Sequence, residues 1–224
     1  MKVLDEGYIE YVESWGSDER IIEAARMSTN KGFQGWDTDA RLLSYLWHNK
    51  HLSPFEMAGL VVEVQAPIFV FREWHRHRTQ SYNELSARYT ELPNLYYVPT
   101  IDRLMNGKQS SSNRQGSDDG FDQGTARRFQ QDIVYAYEQV RRIYESLLRA
   151  GVAKELARVI TPVGQYSRMR ASANLRNWLQ FLELRLPGNV QWETRSYAEA
   201  VANIVEERFP RTYALFRESM DGRS

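Results

Sequence analysis

Cysteine is absent from all 224 residues. That one absence excludes a disulfide framework, thiolate zinc ligation and a cysteine nucleophile. An excess of charge of one sign is absent too, since 29 Lys+Arg balance 29 Asp+Glu. No whole-molecule basic field exists to hold nucleic acid non-specifically, so any anion site is local. No apolar run is long enough to cross a bilayer. Glu10, Glu13, Asp18 and Glu19 interrupt the stretch where a basic-then-apolar leader would stand, and a cytoplasmic protein with no membrane attachment is expected. Gly-x-Gly-x-x-Gly and P-loop patterns are missing, which disfavours nucleotide binding by those folds. Histidine is scarce, with only His48, His51, His75 and His77. Positions 75 and 77 would point about 200° apart on a helix, so no metal site is expected from them. Ser81 and Ser86 lack a Gly-x-Ser-x-Gly elbow.

What is present, 42% hydrophobic and 12% aromatic residues, suffices for a core, and one domain over residues 1–224 is expected. Residues 8–15 are β-branched and aromatic and read as a strand before Gly16 and Ser17. Ser17 is placed to cap a helix over residues 18–27, with Ile21 and Ile22 inward. Residues 29–36 read as a loop. Asp37 or Asp39 starts a second helix whose Leu42, Leu43, Leu46 and Trp47 recur at helical spacing. Ser53 and Glu56 have capping-box spacing with proline between them. Residues 60–66 form a half-buried strand, and Pro67 opens a helix through Phe71 into Trp74.

Residues 106–124 turn to Gly, Ser, Gln, Asn and Asp without a hydrophobic period and read as a flexible loop insertion. A long helix over residues 125–150 carries Phe129, Ile133, Tyr137, Val140, Tyr144 and Leu147 on one face. A shorter helix covers residues 153–160, residues 163–173 are irregular or strand-like, and Asn174 opens another helix. On its wheel Leu175, Trp178, Leu179 and Leu182 face the core. Asn174, Asn177, Phe181 and Arg185 form an adjoining line, where an arginine by itself reads as a snorkelling side chain. Residues 192–209 make a final amphipathic helix that Pro210 breaks. The pattern predicts an α+β fold, a small mainly antiparallel sheet packed with several long helices.

One stretch departs from the apolar rhythm. Residues 76–89 hold Arg76, His77, Arg78, Ser81, Glu84, Ser86 and Arg88. Forked arginine donors beside hydroxyls and a carboxylate suit a phosphate-bearing ligand. Two plainer readings exist: a solvated basic helix end, and a nucleotide- or RNA-binding module with Tyr82 and Tyr89 as stacking groups.

These residues match the R-H-R-x-x-S-x-x-E-x-S-x-R signature of the flavin-dependent thymidylate synthases. His51, Ser53, Pro54, Phe55 and Glu56 resemble that family's H-x-[ST]-P-F-E segment. Asn174 and Arg176 through Leu184 and Arg185 resemble its N-x-R…R helix, so the likeness runs from about residue 20 to 210. The resemblance implies the thymidylate synthase-complementing protein fold. It also implies reductive methylation of dUMP to dTMP, with FAD, 5,10-methylenetetrahydrofolate as carbon donor and NADPH as reductant. A homotetramer with shared active sites goes with it.

By the same resemblance Ser53, Arg76, His77, Arg78, Glu84, Asn174, Arg176 and Gln180 would hold FAD. Glu73, Arg76, Glu84, Leu85, Ser86, Ala87, Arg88, Arg158 and Arg185 would bind dUMP, its phosphate chiefly at Arg88 and Arg158. Arg185 would favour ionisation of the pyrimidine at N3, a task suited to a guanidinium that keeps its proton, and His51 would lie near flavin and folate. Two positions depart from the family pattern: Gln180 stands for an asparagine, and Glu73 for a glutamine. Glu73 would bring negative charge toward a phosphate unless Arg72 or Arg76 neutralises it.

Overall fold

A computed structural model describes residues 1–111, 116–118 and 120–222. In chain order the strands are β1 (Lys2–Val3), β2 (Gly7–Trp15), β3 (Gly59–Pro67), β4 (Ser81–Glu84), β5 (Lys108–Gln109), β6 (Ser117–Asp118) and β7 (Tyr166–Asn174). The helices are α1 (Asp18–Arg26), α2 (Trp36–His48), α3 (Ile68–Trp74), α4 (Ile101–Met105), α5 (Gln123–Arg149), α6 (Lys154–Ala157), α7 (Leu175–Arg185), α8 (Trp192–Arg208) and α9 (Pro210–Asp221). Five strands form one antiparallel sheet in the order β1-β2-β3-β7-β4, and β5 pairs with β6. The expected α+β class with an antiparallel sheet and long helices is what forms.

Alternation along β3 and β7 sets the sheet's two faces. Leu60, Val62, Val64 and Ala66 are fully buried, as is Ala171, with Met169 and Ala173 nearly so. Their register pairs Val62 with Ala171 and Glu63 with Arg170, so apolar meets apolar on one face and opposite charges meet on the other. Helices α3, α7 and α8 cover the apolar face. Trp74, Trp178, Phe181 and Tyr197 are fully buried there. The Trp178 indole donates to the Leu60 carbonyl at 3.0 Å, which satisfies its polar edge inside the core. At Gly7 a side chain has no room: a Cβ would stand 1.9 Å from the Tyr197 hydroxyl, which donates to the Gln65 carbonyl at 2.7 Å.

Ser17 caps α1 as expected, accepting from the Arg20 amide at 3.3 Å. Other elements differ from the sequence reading. Helix α2 begins at Trp36 behind Gly35 at φ +97°. Asp39 is instead fully buried against Arg26 and accepts the Gln34 amide at 2.7 Å. The capping box does not form. Residues 53–57 make a 3₁₀ turn capped at Leu52 without a side-chain bond, because Glu56 is drawn away into an ion pair with Arg176. Pro210 ends α8 but also opens α9 at a first-turn position, where a missing N–H costs nothing.

The stretch after α3 is not a helix end continuing outward but a turn that returns as β4 along β7. Within the flexible insertion expected over residues 106–124, the described part contains β5 and β6, and residues 112–115 and 119 lie outside the described residues. Among the described residues no helix is long and apolar enough to cross a membrane.

Candidate active site

The turn after α3 is held from three sides. Tyr82 donates to the carbonyls of His77 at 2.7 Å and Trp74 at 3.2 Å. The Trp74 indole donates to Gln80 Oε1 at 2.9 Å, and Asn177 Nδ2 on α7 donates to the Thr79 carbonyl at 3.3 Å. Burial pushes the Tyr82 hydroxyl up to about 12, so it stays a donor at neutral pH. The turn exposes Arg76 and Arg78 and buries His77. Among the described residues neither arginine has an acidic group within ion-pair distance. Two unpaired guanidinium forks on one fixed turn fit a diphosphate.

His77 meets the far end of α7. Its Nε2 accepts from Arg185 Nε at 2.9 Å, and the same guanidinium reaches Glu73 Oε2 at 3.1 Å and the Glu73 carbonyl at 3.2 Å. Burial first, and then the Arg185 charge, lower the His77 imidazole to about 4. It is therefore neutral, with its proton on Nδ1 and Nε2 free to accept. Arg185 is neither a snorkelling residue nor free: its side chain is 20% exposed and locked to α3. The cation that neutralises Glu73 is thus Arg185. Arg72 and Arg76 do not: Arg72 lines a cavity and Arg76 is exposed in the turn.

That cavity, of 630 Å³, lies where β4 ends. It is lined by Glu84, Leu85, Ser86, Ala87 and Arg158, with Arg72, His75 and Ser167 adding polar edges. Ser167 donates to Glu84 Oε1 at 2.8 Å, and Ser86 Oγ accepts the Arg88 amide at 3.3 Å. Among the described residues no base is hydrogen-bonded to Ser86, and its oxygen shapes the turn. Arg88 lies outside the lining, paired with Glu155 at 3.5 Å, both more than half exposed. That pair is worth little in water.

A fourth group surrounds the start of α7. Asn174 caps the helix by accepting the Asn177 amide at 3.0 Å. Arg176 and Gln180, one turn apart, line a 250 Å³ cavity with Trp47, Lys50 and Leu52. Arg176 also pairs with Glu56, five residues after His51. His51 is exposed, with its ring edge-on to Tyr45 at 5.7 Å. Ser53 is exposed at the start of its turn. Arg176 and Arg185 are nine residues apart, about 14 Å along the helix, so α7 presents cations to two separate places. The structure groups Glu84 to Ala87 with Arg158. It does not bring Arg185 or Glu73 into that cavity.

What the sequence reading missed is Arg72, His75 and Ser167 as cavity lining, Glu155 as the Arg88 partner and Glu56 as the Arg176 partner. Glu155 stands three residues before Arg158, a helical spacing that signalled a shared face. The Glu56 contact spans 120 residues and had no local signal.

An antiparallel sheet flanked by helices, with Arg72 and Arg158 lining one cavity and Arg176 lining another, defines an α+β protein with recesses suited to anionic ligands. The thymidylate synthase complementing protein family matches residues 10–211, and the chain belongs to it. It is similar to the flavin-dependent thymidylate synthase of Thermus thermophilus, 40% identical over 222 residues, 97% of this chain and 78% of that one. The Thermotoga neapolitana enzyme is 37% identical over 214 residues, 96% and 92% of the two chains. Among solved structures, a UMP/dUMP methylase from Streptomyces cacaoi bound with 5-Br dUMP aligns with a TM-score of 0.86 and 31% identity over 97% of both chains. The activity is flavin-dependent methylation of dUMP to dTMP, and a flavin is the cofactor. A binding module using the basic patch is not what this chain is.

Proposed function

We propose that the enzyme, a single domain over residues 1–224, uses FAD, takes its carbon from 5,10-methylenetetrahydrofolate and its reducing equivalents from NADPH. The flavin would supply the hydride transfer. Arg76 and Arg78 would hold its diphosphate from the clamped turn, with His77 and Glu84 beside them. Ser53, Asn174, Arg176 and Gln180 would hold the rest around the start of α7.

dUMP would bind against Glu84, Leu85, Ser86 and Ala87, and Arg158 would pair with its phosphate. Arg88 would exchange its exposed contact with Glu155 for that phosphate. His51 would flank the folate. Arg185 would stabilise the negative charge that appears when N3 of the pyrimidine loses its proton, raising electron density at C5 without a thiolate. The observation that carries this reading is the fixed Arg185 guanidinium: it is permanently charged and largely removed from water.

A homotetramer with shared sites is part of the proposal. Arg158 lines the cavity beside Glu84 to Ala87 and Arg185 does not, an arrangement compatible with a site completed by a neighbouring subunit. Helix α5 supports this. Ala126 is its one buried residue among those described, while Tyr135 and Ile143 are 64% and 53% exposed. A 27-residue amphipathic helix left so open suits a subunit interface.

Purified protein should carry a flavin absorbance spectrum and oxidise NADPH faster when dUMP is added. A colourless protein that cannot be loaded with FAD would sink the proposal.

A further inference from the structure

Three nitrogens of Arg185 are engaged inside the chain. Nε donates to His77 Nε2 at 2.9 Å, Nη1 to Glu73 Oε2 at 3.1 Å and Nη2 to the Glu73 carbonyl at 3.2 Å. A guanidinium carries five N–H groups, so two remain, one on each terminal nitrogen. The acceptors are themselves fixed. Glu73 lies in the last turn of α3, and its carbonyl also receives the Arg76 amide at 3.2 Å. The His77 ring is buried edge-on against Phe181 at 4.9 Å.

An arginine on an open stem must give up rotamer freedom each time it meets a ligand. One already held by three protein acceptors has paid that entropy during folding, and its plane is set before substrate arrives. We propose that Glu73 is a positioning residue for Arg185. Its carboxylate and carbonyl oxygens, with His77 Nε2, orient the guanidinium so that the two remaining N–H groups form the donor pair offered to the pyrimidine. This rests on the role given above to Arg185. It also moves Glu73 from direct contact with the nucleotide to support of the residue that makes the contact.

The test is a mutant cycle on the flavin-loaded enzyme, with dTMP formation and calorimetric dUMP affinity as its two measurements. Glu73→Ala should lower both about tenfold, the scale of losing one charge-assisted hydrogen bond. Glu73→Gln keeps an acceptor oxygen toward Nη1 and should recover most of the loss. In an Arg185→Ala background, Glu73→Ala should change dUMP affinity less than twofold, because a residue acting through Arg185 has nothing left to act on. Equal losses in both backgrounds would overturn the proposal. So would a Gln variant no better than Ala, or a gain of activity on removing the carboxylate. An Arg185→Ala enzyme with near wild-type turnover would instead remove the role of Arg185 itself, and the proposal with it.

Discussion

Arg185 and His77 lie 108 residues apart in sequence and 2.9 Å apart in space, with the arginine Nε donating to the imidazole Nε2. This contact joins the R-H-R turn to the end of α7, and burial of the ring, with the arginine charge beside it, keeps the imidazole neutral.

His77 should therefore make folding pH-dependent. Its folded value is about 4, below the ordinary value near 6.5. Between those two values the unfolded chain binds more protons, so stability is full above about pH 6.5 and is lost as pH falls toward 4. The loss is at most about 3 kcal/mol. Thermal melts at pH 5 and pH 7.5 should differ less in His77→Asn than in the parent protein.

Arg185→Ala should lower dTMP formation by about 10²- to 10³-fold, the range for losing a charge stabiliser. Flavin content and NADPH oxidation should stay close to the parent values. If the variant instead elutes without flavin, the residue holds cofactor and the assignment to the pyrimidine is wrong.

Arg78→Ala should act on the opposite ligand. Removing one charge-assisted contact should raise the dissociation constant for FAD by roughly 10- to 100-fold, measured by fluorescence titration of the apoenzyme. Melting temperature should hardly change, since Arg78 is exposed and has no ion pair among the described residues.

Arg158→Ala should raise KM for dUMP by tens of fold, the effect of losing a phosphate partner, and it should spare flavin binding. Arg158 lines the cavity beside Glu84 to Ala87. An unchanged KM would place the phosphate elsewhere.

Gly7→Ala should destabilise the protein by about 1–3 kcal/mol, the usual cost of forcing an extra carbon into a packed site. The new Cβ would meet the Tyr197 hydroxyl and the carbonyls of Val3 and Gln65. Urea denaturation measures this directly.

The helices were legible wherever one apolar stripe decided them, as in α1, α5, α7 and α8. Strand β4 was not. Ser81, Tyr82, Asn83 and Glu84 have no alternation of their own and become a strand because β7 offers an edge to pair with. Ser53 and Glu56 had the spacing of a local cap, and Arg176 outbid it from 120 residues away.

The amino-acid sequence by itself determined which chemistry this protein carries. The turn with its arginines, the absence of a thiol and the caps at Ser17 and Asn174 follow from residues close together along the chain. Only the tertiary structure decided which cation answers Glu73. Arg72 and Arg76 are near it in sequence, yet the helix and the turn aim them elsewhere. Arg185, 112 residues on, meets it because α7 packs across the end of α3. Charges interact through space, and folding sets those distances.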